Sequence, residues 1–258
     1  MATPIFYINM ASRPDRRAFM ERQLAALGLA AQRIEAVTPA DLTAAQVQRC
    51  ARLGLSPGVP CCSLSHLRAL EALVAMGAQA ALTLEDDAVL SSRLPEFLIA
   101  CERATVDGIV RIETSFNGVR YRRVAARLDR FELVEPTNFE GGAAGYLVPA
   151  SAASAVRSAI DLDIGVDEAL FNPFGRLRGR ARLYQTIPAL VAQSHLISRA
   201  GNPSFESDIN AMRPAAPAGA TSLLRRLQDF YRRDIVYGTQ RTFQQWLGAR
   251  KHVIPFEP

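Results

Sequence analysis

Lysine is almost missing from this 258-residue sequence: Lys251 is the only one, and every other basic residue apart from three histidines is arginine. Cysteine is sparse as well. Cys50, Cys61, Cys62 and Cys101 have neither CxxC spacing nor the density of a disulfide scaffold, so buried or idle thiols in a reducing compartment are expected. No uninterrupted apolar run reaches about 18 residues, which argues against a membrane-spanning helix. Residues 1–10 lack the charged-then-apolar order of a secretory signal, so the expected location is the cytoplasm. There is no internal repeat and no phosphate-binding P-loop. The arginines are dispersed and no nucleic-acid recognition motif accompanies them, so no nucleic-acid partner is expected.

What is present is ordinary globular composition, 49% apolar and 21% charged. The length suits one large α/β domain or two small ones, with ample material for a core. A net charge of +5 carried on arginine favours anionic groups, because the guanidinium forks phosphates and carboxylates bidentately. Genomic base composition would produce the same arginine bias, and both explanations stand at this level.

The hydrophobic pattern places the first strand at Ile5–Ile8, ending at Asn9. A polar turn, Ser12-Arg13-Pro14-Asp15, leads into a helix with Met20, Leu24 and Leu27 on one face and Gly28 as its stop. A short strand over 33–37 completes a βαβ unit of the kind found in parallel sheets. Helices follow over about 42–53 and 63–76, then a strand at Ala80–Leu84. Further strands are expected at 109–112, 131–134, 145–148 and 183–187, and a short helix at 166–171. Residues 213–222 read as a Pro/Ala-rich linker between a domain over 1–212 and a basic amphipathic helical extension over 223–258. In that extension Leu223, Leu224, Leu227, Phe230, Tyr231 and Ile235 share one arc and Arg225, Arg226, Arg232 and Arg233 the opposite one. Such a helix packs on its own domain, or docks at an anionic membrane surface or a partner.

The strand at 80–84 stops at three acids, Glu85-Asp86-Asp87, at the kind of sheet edge where open α/β folds bind ligands. Adjacent carboxylates repel, so a folded site tolerates them beside a cation or hydrogen-bond donors; oxygen ligands of this type suit Mg²⁺ or Mn²⁺ held together with a diphosphate. A solvated turn is the plainer alternative. The sequence has no second carboxylate cluster of the kind that a two-metal hydrolase or nucleotidyltransferase would need.

Three segments together resemble glycosyltransferase family 25 of bacterial lipopolysaccharide synthesis. The first is Ile5-Phe6-Tyr7-Ile8-Asn9-Met10 with Ser12-Arg13-Pro14-Asp15-Arg16-Arg17. The second is Cys61-Cys62-Ser63-Leu64-Ser65-His66, similar to the family's G-C-x-x-S-H, followed by Leu82-Thr83-Leu84-Glu85-Asp86-Asp87. The third is Gly142-Ala143-Ala144-Gly145-Tyr146-Leu147-Val148. Their order and spacing over about residues 4–195 fit the family. Pro60 before Cys61, where the family has glycine, is a departure.

The resemblance implies an α/β, GT-A-like fold with a Rossmann-like nucleotide-binding half and a mostly parallel central sheet. It also implies a metal-dependent, inverting transfer of a hexose, with galactose from UDP-galactose as the expected donor, to a lipooligosaccharide or other glycan, lipid-linked or soluble. By position, Asp87 becomes the main ligand of Mn²⁺ or Mg²⁺, Asp86 a contact to ribose or a metal-bound water, and Glu85 an orienting group. Asn9, Arg13 and Arg16 lie where a nucleotide would sit, or else they dress a helix start. Ser65 and His66, read as opening the third helix, are nucleotide contacts or core hydrogen-bonders. Asp167, with Glu168 second, is the candidate general base, or a helix-start charge. Glu113 is a candidate for acceptor binding. His195 completes a metal shell or is an ordinary loop residue. A nucleotide-sugar- or glycan-binding module of the same fold that has lost turnover is the alternative.

Overall fold

The computed structural model describes residues 2–197, 204–205 and 237–258. The expected linker at 213–222 and the amphipathic arc from Leu223 to Ile235 lie outside the described residues. An eight-stranded sheet organises the rest, in the order β2 (Gln32–Glu35), β1 (Ile5–Asn9), β3 (Ala80–Glu85), β9 (Gly145–Pro149), β5 (Gly108–Arg111), β10 (Arg182–Ile187), β8 (Phe131–Val134) and β7 (Val124–Leu128). β2, β1 and β3 are parallel, as the βαβ reading predicts. β5 and β10 are also parallel. The other four pairings are antiparallel. The sheet is therefore mixed: the parallel Rossmann-like half is confined to one side, and β9 runs against both its neighbours.

Strand periodicity explains the layering. Successive side chains of a strand point to opposite faces, and a sheet covered on both sides needs apolar groups on both. In β1 all five residues are buried. Ile5 and Tyr7 join a core with Met20 and Leu24 of α1 (Pro14–Ala26) and Phe97 of α4 (Leu94–Ala104). Phe6 and Ile8 face the other way, onto Ala69, Leu70 and Leu73 of α3 (Gly58–Ala75). That second layer is completed by α5 (Ala153–Ala159) and α6 (Val166–Phe171). The smaller α2 (Ala44–Leu53) is closed at its start by a capping box between Thr43 and Gln46 and at its end by left-handed Gly54.

α3 begins five residues before the expected start at Ser63. Pro60 reads as a helix breaker, yet in a first turn its missing N–H has no intrahelical partner to lose. Ser65 and His66 consequently sit in the interior of the helix, and the anion-binding potential of a helix N-terminus does not apply to them.

After β3 a two-residue turn, Asp86-Asp87, reverses into β4 (Ala88–Leu90), which pairs antiparallel with β11 (Val191–Gln193). Chain order continues through β6 (Val119–Tyr121). The C-terminal region is helical at α7 (Tyr237–Trp246) but then forms β12 (Arg250–His252), paired with β6. Thr114 Oγ1 donates to the Ile254 carbonyl at 2.8 Å and Ala189 N to that of Pro255 at 2.9 Å, so the end of the chain is anchored on the sheet. The helical extension expected over 223–258 is thus corrected at Arg250–His252, which make strand hydrogen bonds. Among the described residues no helix is long and apolar enough to cross a membrane.

Leu82 is fully buried on β3, between β1 and β9. Leu82→Ala is expected to lower unfolding free energy by about 2–5 kcal/mol in a denaturant titration. Val74→Ala, at a 61% exposed position of α3, is expected to change it by less than about 0.5 kcal/mol.

Candidate active site

β1 and β3 are parallel with Ile8 opposite Glu85, so Asn9 and the acidic turn emerge at the same carboxyl edge of the sheet. The first turn of α1 returns Arg16 over that edge, and the second and third turns of α3 cover it from the other face. Between them lies a cavity of about 120 Å³ whose walls include Asn9, Arg16, Cys62, His66, Asp86 and Asp87. Ser65 and Glu85 line it too. The sequence therefore identified most of the polar wall.

The three acids have different surroundings. Asp86 is held inside the protein: its Oδ2 accepts from Asn9 Nδ2 at 2.7 Å and its Oδ1 from Arg16 Nη1 at 3.1 Å. Asn9 is held in turn. Its Nδ2 also donates to the Arg13 carbonyl, and its Oδ1 accepts from Arg33 Nε at 2.9 Å. The Asn9 amide thus positions Asp86, and Arg33, which sequence reasoning passed over, positions Asn9. Asp87 is 3.9 Å from Arg16 through Oδ2, while its Oδ1 is buried with no hydrogen-bond partner among the described residues. Its carbonyl accepts from Ser194 N at 2.9 Å, which ties the turn to the β11 end. Glu85 Oε1 lies 3.2 Å from His66 Nε2, and His66 Nδ1 lies 2.8 Å from the Tyr146 hydroxyl.

Burial and mutual repulsion raise the proton affinity of this edge. The Glu85 carboxyl is pushed up to about 7 by desolvation, with Asp86 and Asp167 adding to it. Asp87 is likewise pushed up to about 7 by desolvation and by Glu85, against the opposing pull of Arg16. His66 moves the other way, down to about 4, because its burial disfavours the imidazolium. An orphaned, desolvated carboxylate oxygen fits a hard cation. Mg²⁺ and Mn²⁺ commonly take one or two protein carboxylates and complete their shell with water and substrate phosphates. Asp87 is the residue able to hold such an ion. Asp86 is already engaged, and the oxygens of the three acids do not converge as one ligand set among the described residues. His195 is exposed on a short turn after β11, near enough for its charge to act on Asp87.

Arg13, Asp167 and Glu168 sit outside the cavity wall. Arg13 forms a two-point pair with Asp15, at 3.1 and 3.0 Å, and its guanidinium lies over Phe205; the helix-start reading describes it better than nucleotide contact. Ser65 lines the cavity but its Oγ is engaged, donating to the Cys61 carbonyl at 2.7 Å and accepting from Val37 N at 2.8 Å. Asp167, in the first turn of α6, accepts from Gly142 N at 3.2 Å and Glu168 N at 2.8 Å, and its charge acts on Glu85 and His66. Glu168 is half-buried beside it.

Glu113, expected to touch an acceptor, is only 1% exposed. Its Oε2 accepts from Ala144 N at 2.9 Å and lies 3.7 Å from Arg111. It sits under Gly142, whose φ of +100° suits glycine and where any Cβ would run into this carboxylate. Glu113 shapes the 141–144 loop rather than facing open space. The residues missed by sequence reasoning, Arg33, Arg111, Gly142 and Tyr146, all act through partners distant in the chain. Only Gly142 and Tyr146 carried a signal, their place in the third family-like segment.

A model of glycosyltransferase family 25 (LPS biosynthesis protein) matches residues 2–169. No curated protein matches the chain. Among solved structures, it is similar to A197 from STIV, at 13% identity and a TM-score of 0.40, covering 72% of this chain and 81% of that one. It is also similar to mannose-1-phosphate geranyltransferase from Thermus thermophilus, at 14% identity and a TM-score of 0.37, covering 74% and 75%.

Burial pushes the Glu113 carboxyl from an ordinary 4.5 up to about 8. Between those values the folded protein holds a proton that the unfolded chain has released, so Glu113 makes stability fall as pH rises through this window. Urea titrations at pH 5, 6.5 and 8 are expected to give a shallower loss for Glu113→Gln than for the unaltered protein. Equal slopes would mean that Glu113 is ionised at no net cost.

Proposed function

This chain belongs to glycosyltransferase family 25, and we propose that its cavity runs a metal-dependent, inverting transfer of a hexose from a nucleotide-sugar to a glycan. The family makes it a glycosyltransferase of lipopolysaccharide biosynthesis. The observation that carries the finer reading is the orphaned Oδ1 of Asp87 on the wall of a cavity at the carboxyl edge of the parallel half-sheet. Asp87, with His195 close by, would hold Mn²⁺ or Mg²⁺. That ion supplies charge neutralisation on a leaving nucleoside diphosphate, worth several kcal/mol in the transition state.

The chain's own side chains set the rest of the chemistry. Asp86, held by Asn9 and Arg16, keeps two oxygens at the cavity wall in a fixed orientation for a ribose hydroxyl or an ordered water. Arg16 keeps a cation over the edge where phosphates would lie. His66, neutral and pinned between Tyr146 and Glu85, presents no charge to repel or attract the donor and orients Glu85 instead. Asp167, aimed by two backbone N–H groups, is the favoured base to take the acceptor hydroxyl proton as that oxygen attacks the anomeric carbon; Glu168 is the second choice. Galactose from UDP-galactose is the favoured donor. The acceptor is a lipooligosaccharide or related glycan, lipid-linked or soluble.

A lipid-linked acceptor suits a cytoplasmic protein held peripherally at the inner face of the inner membrane. The exposed residues between Phe243 and Val253 support that placement. The rings of Phe243 and Trp246 lie 6.1 Å apart and are exposed by 56% and 79%, and Arg250, Lys251 and Val253, further along the chain, are exposed as well. Aromatic rings next to basic side chains suit the headgroup region of an anionic bilayer.

Release of nucleoside diphosphate from a panel of sugar nucleotides tests the reaction. It is expected from one donor with Mn²⁺, to vanish in EDTA, and to fall about 10²–10³-fold in Asp87→Asn. In the same assay with acceptor present, Asp167→Asn is expected to lose about 10²–10⁴-fold. Pyrophosphate release in place of the diphosphate would contradict the reading. For the membrane contact, sedimentation with vesicles containing anionic lipid is expected to carry the protein down, and the paired change Phe243→Ala with Trp246→Ala to leave most of it in the supernatant. Undiminished sedimentation of the double variant would remove this surface from the reading.

A further inference from the structure

Cys62 and His66 are four residues apart on α3 and so project from one face of the helix. That face lies over the end of β3, where Glu85 rises to meet it. One ligand atom from each of the three side chains falls within 4.8 Å of the other two. His66 Nε2 and Glu85 Oε1 are 3.2 Å apart. Among the described residues no other trio of His, Cys, Asp or Glu converges in this way.

We propose that Cys62, His66 and Glu85 form a binding site for a thiophilic divalent cation such as Zn²⁺, separate from the Asp87 oxygen. The donor set decides the class of ion. Sulfur, imidazole and carboxylate together suit Zn²⁺, whereas Mg²⁺ and Mn²⁺ prefer oxygen throughout. His66 is prepared for the role: its Nδ1 is fixed at 2.8 Å from the Tyr146 hydroxyl and its ring stacks on Tyr146 at 22°. Metal-binding histidines characteristically have such a partner on the nitrogen that faces away from the ion. The three residues line the cavity, which leaves a fourth ligand position open toward it. Binding converts the Cys62 thiol to a thiolate and releases its proton to solvent, together with any proton held by Glu85. An ion held here takes up Glu85 and narrows the cavity, so Zn²⁺ acts as an inhibitor of whatever the cavity binds. The site needs only these three side chains and does not depend on the transferase reading.

Cobalt(II) is the probe, used on the full-length reduced protein. A sulfur-to-cobalt charge-transfer band in the near ultraviolet is expected to saturate at one equivalent and to bleach when Zn²⁺ displaces the cobalt. The band is expected to disappear in Cys62→Ser and in His66→Gln. It is expected to persist in Cys61→Ser and in Asp87→Asn, which separates this site from the acidic turn. Tyr146→Phe is expected to weaken Zn²⁺ binding about 10- to 100-fold by freeing the ring. A measurement independent of variants is alkylation of the unaltered protein with and without Zn²⁺, read by peptide mass spectrometry, in which Cys62 alone is expected to be protected. No band, a band that survives Cys62→Ser or vanishes in Asp87→Asn, or equal alkylation of Cys62 with and without Zn²⁺ would each overturn the proposal.

Discussion

The carboxylates gathered at the carboxyl edge of β1 and β3 are the constraint on which the rest of the structure depends. Glu85, Asp86 and Asp87 stand in sequence, and Glu113 and Asp167 approach from other elements closely enough for their charges to be felt. Against them the protein sets Arg16 at the turn and Arg111 below the 141–144 loop. One guanidinium each does not balance that much buried negative charge, and Glu85, Asp87 and Glu113 all hold protons more tightly than ordinary carboxyls. The imbalance favours any positive charge that reaches this edge. A proton would relieve it, as would a hard divalent ion at Asp87 or a softer one between α3 and β3.

Everything around the edge serves to keep those charges in place. β1 and β3 are largely apolar on both faces and end at the polar Asn9 and Glu85, so a slip of either strand would draw those end groups into the core. The paired β4 and β11 hold the turn from behind through Asp87 and Ser194. β9 runs antiparallel beside β3, with Thr83 opposite Tyr146, and so delivers the hydroxyl that fixes His66. Gly145 in that strand sits where a Cβ would collide with Val191, which allows β11 to cross close above the sheet. The chain is a family 25 glycosyltransferase, and the polar contacts give these arrangements their physical cause.

Much of this was legible in the chain. The strands at 5–9, 80–85, 131–134 and 145–149 and the helix at 166–171 follow from short apolar runs and their punctuation. Asn9, Arg16, His66 and the three acids were identified as a group by their place after strands and in family-like segments, and the fold brings them to one cavity. Other features were not legible. β4, β6, β7, β11 and β12 are three to five residues long, and several are partly exposed, so they have little local pattern and exist because a distant strand pairs with them. The start of α3 was obscured by Pro60, and the burial of Glu113 by the fact that its cover, Gly142, is far away in sequence.

By itself the sequence determined the alternation of buried strands and helices, the position of the acids at a strand end, and the family to which the three ordered segments point. These are local properties, set by side-chain polarity and spacing along one chain. Tertiary structure alone decided which carboxylate is paired and which is left with an unsatisfied oxygen, because that depends on where Arg16 and Asn9 arrive from other elements. It also decided that Cys62, four residues before His66, meets Glu85. Desolvation, pairing and ligand convergence are properties of packed space, and no spacing within a single segment encodes them.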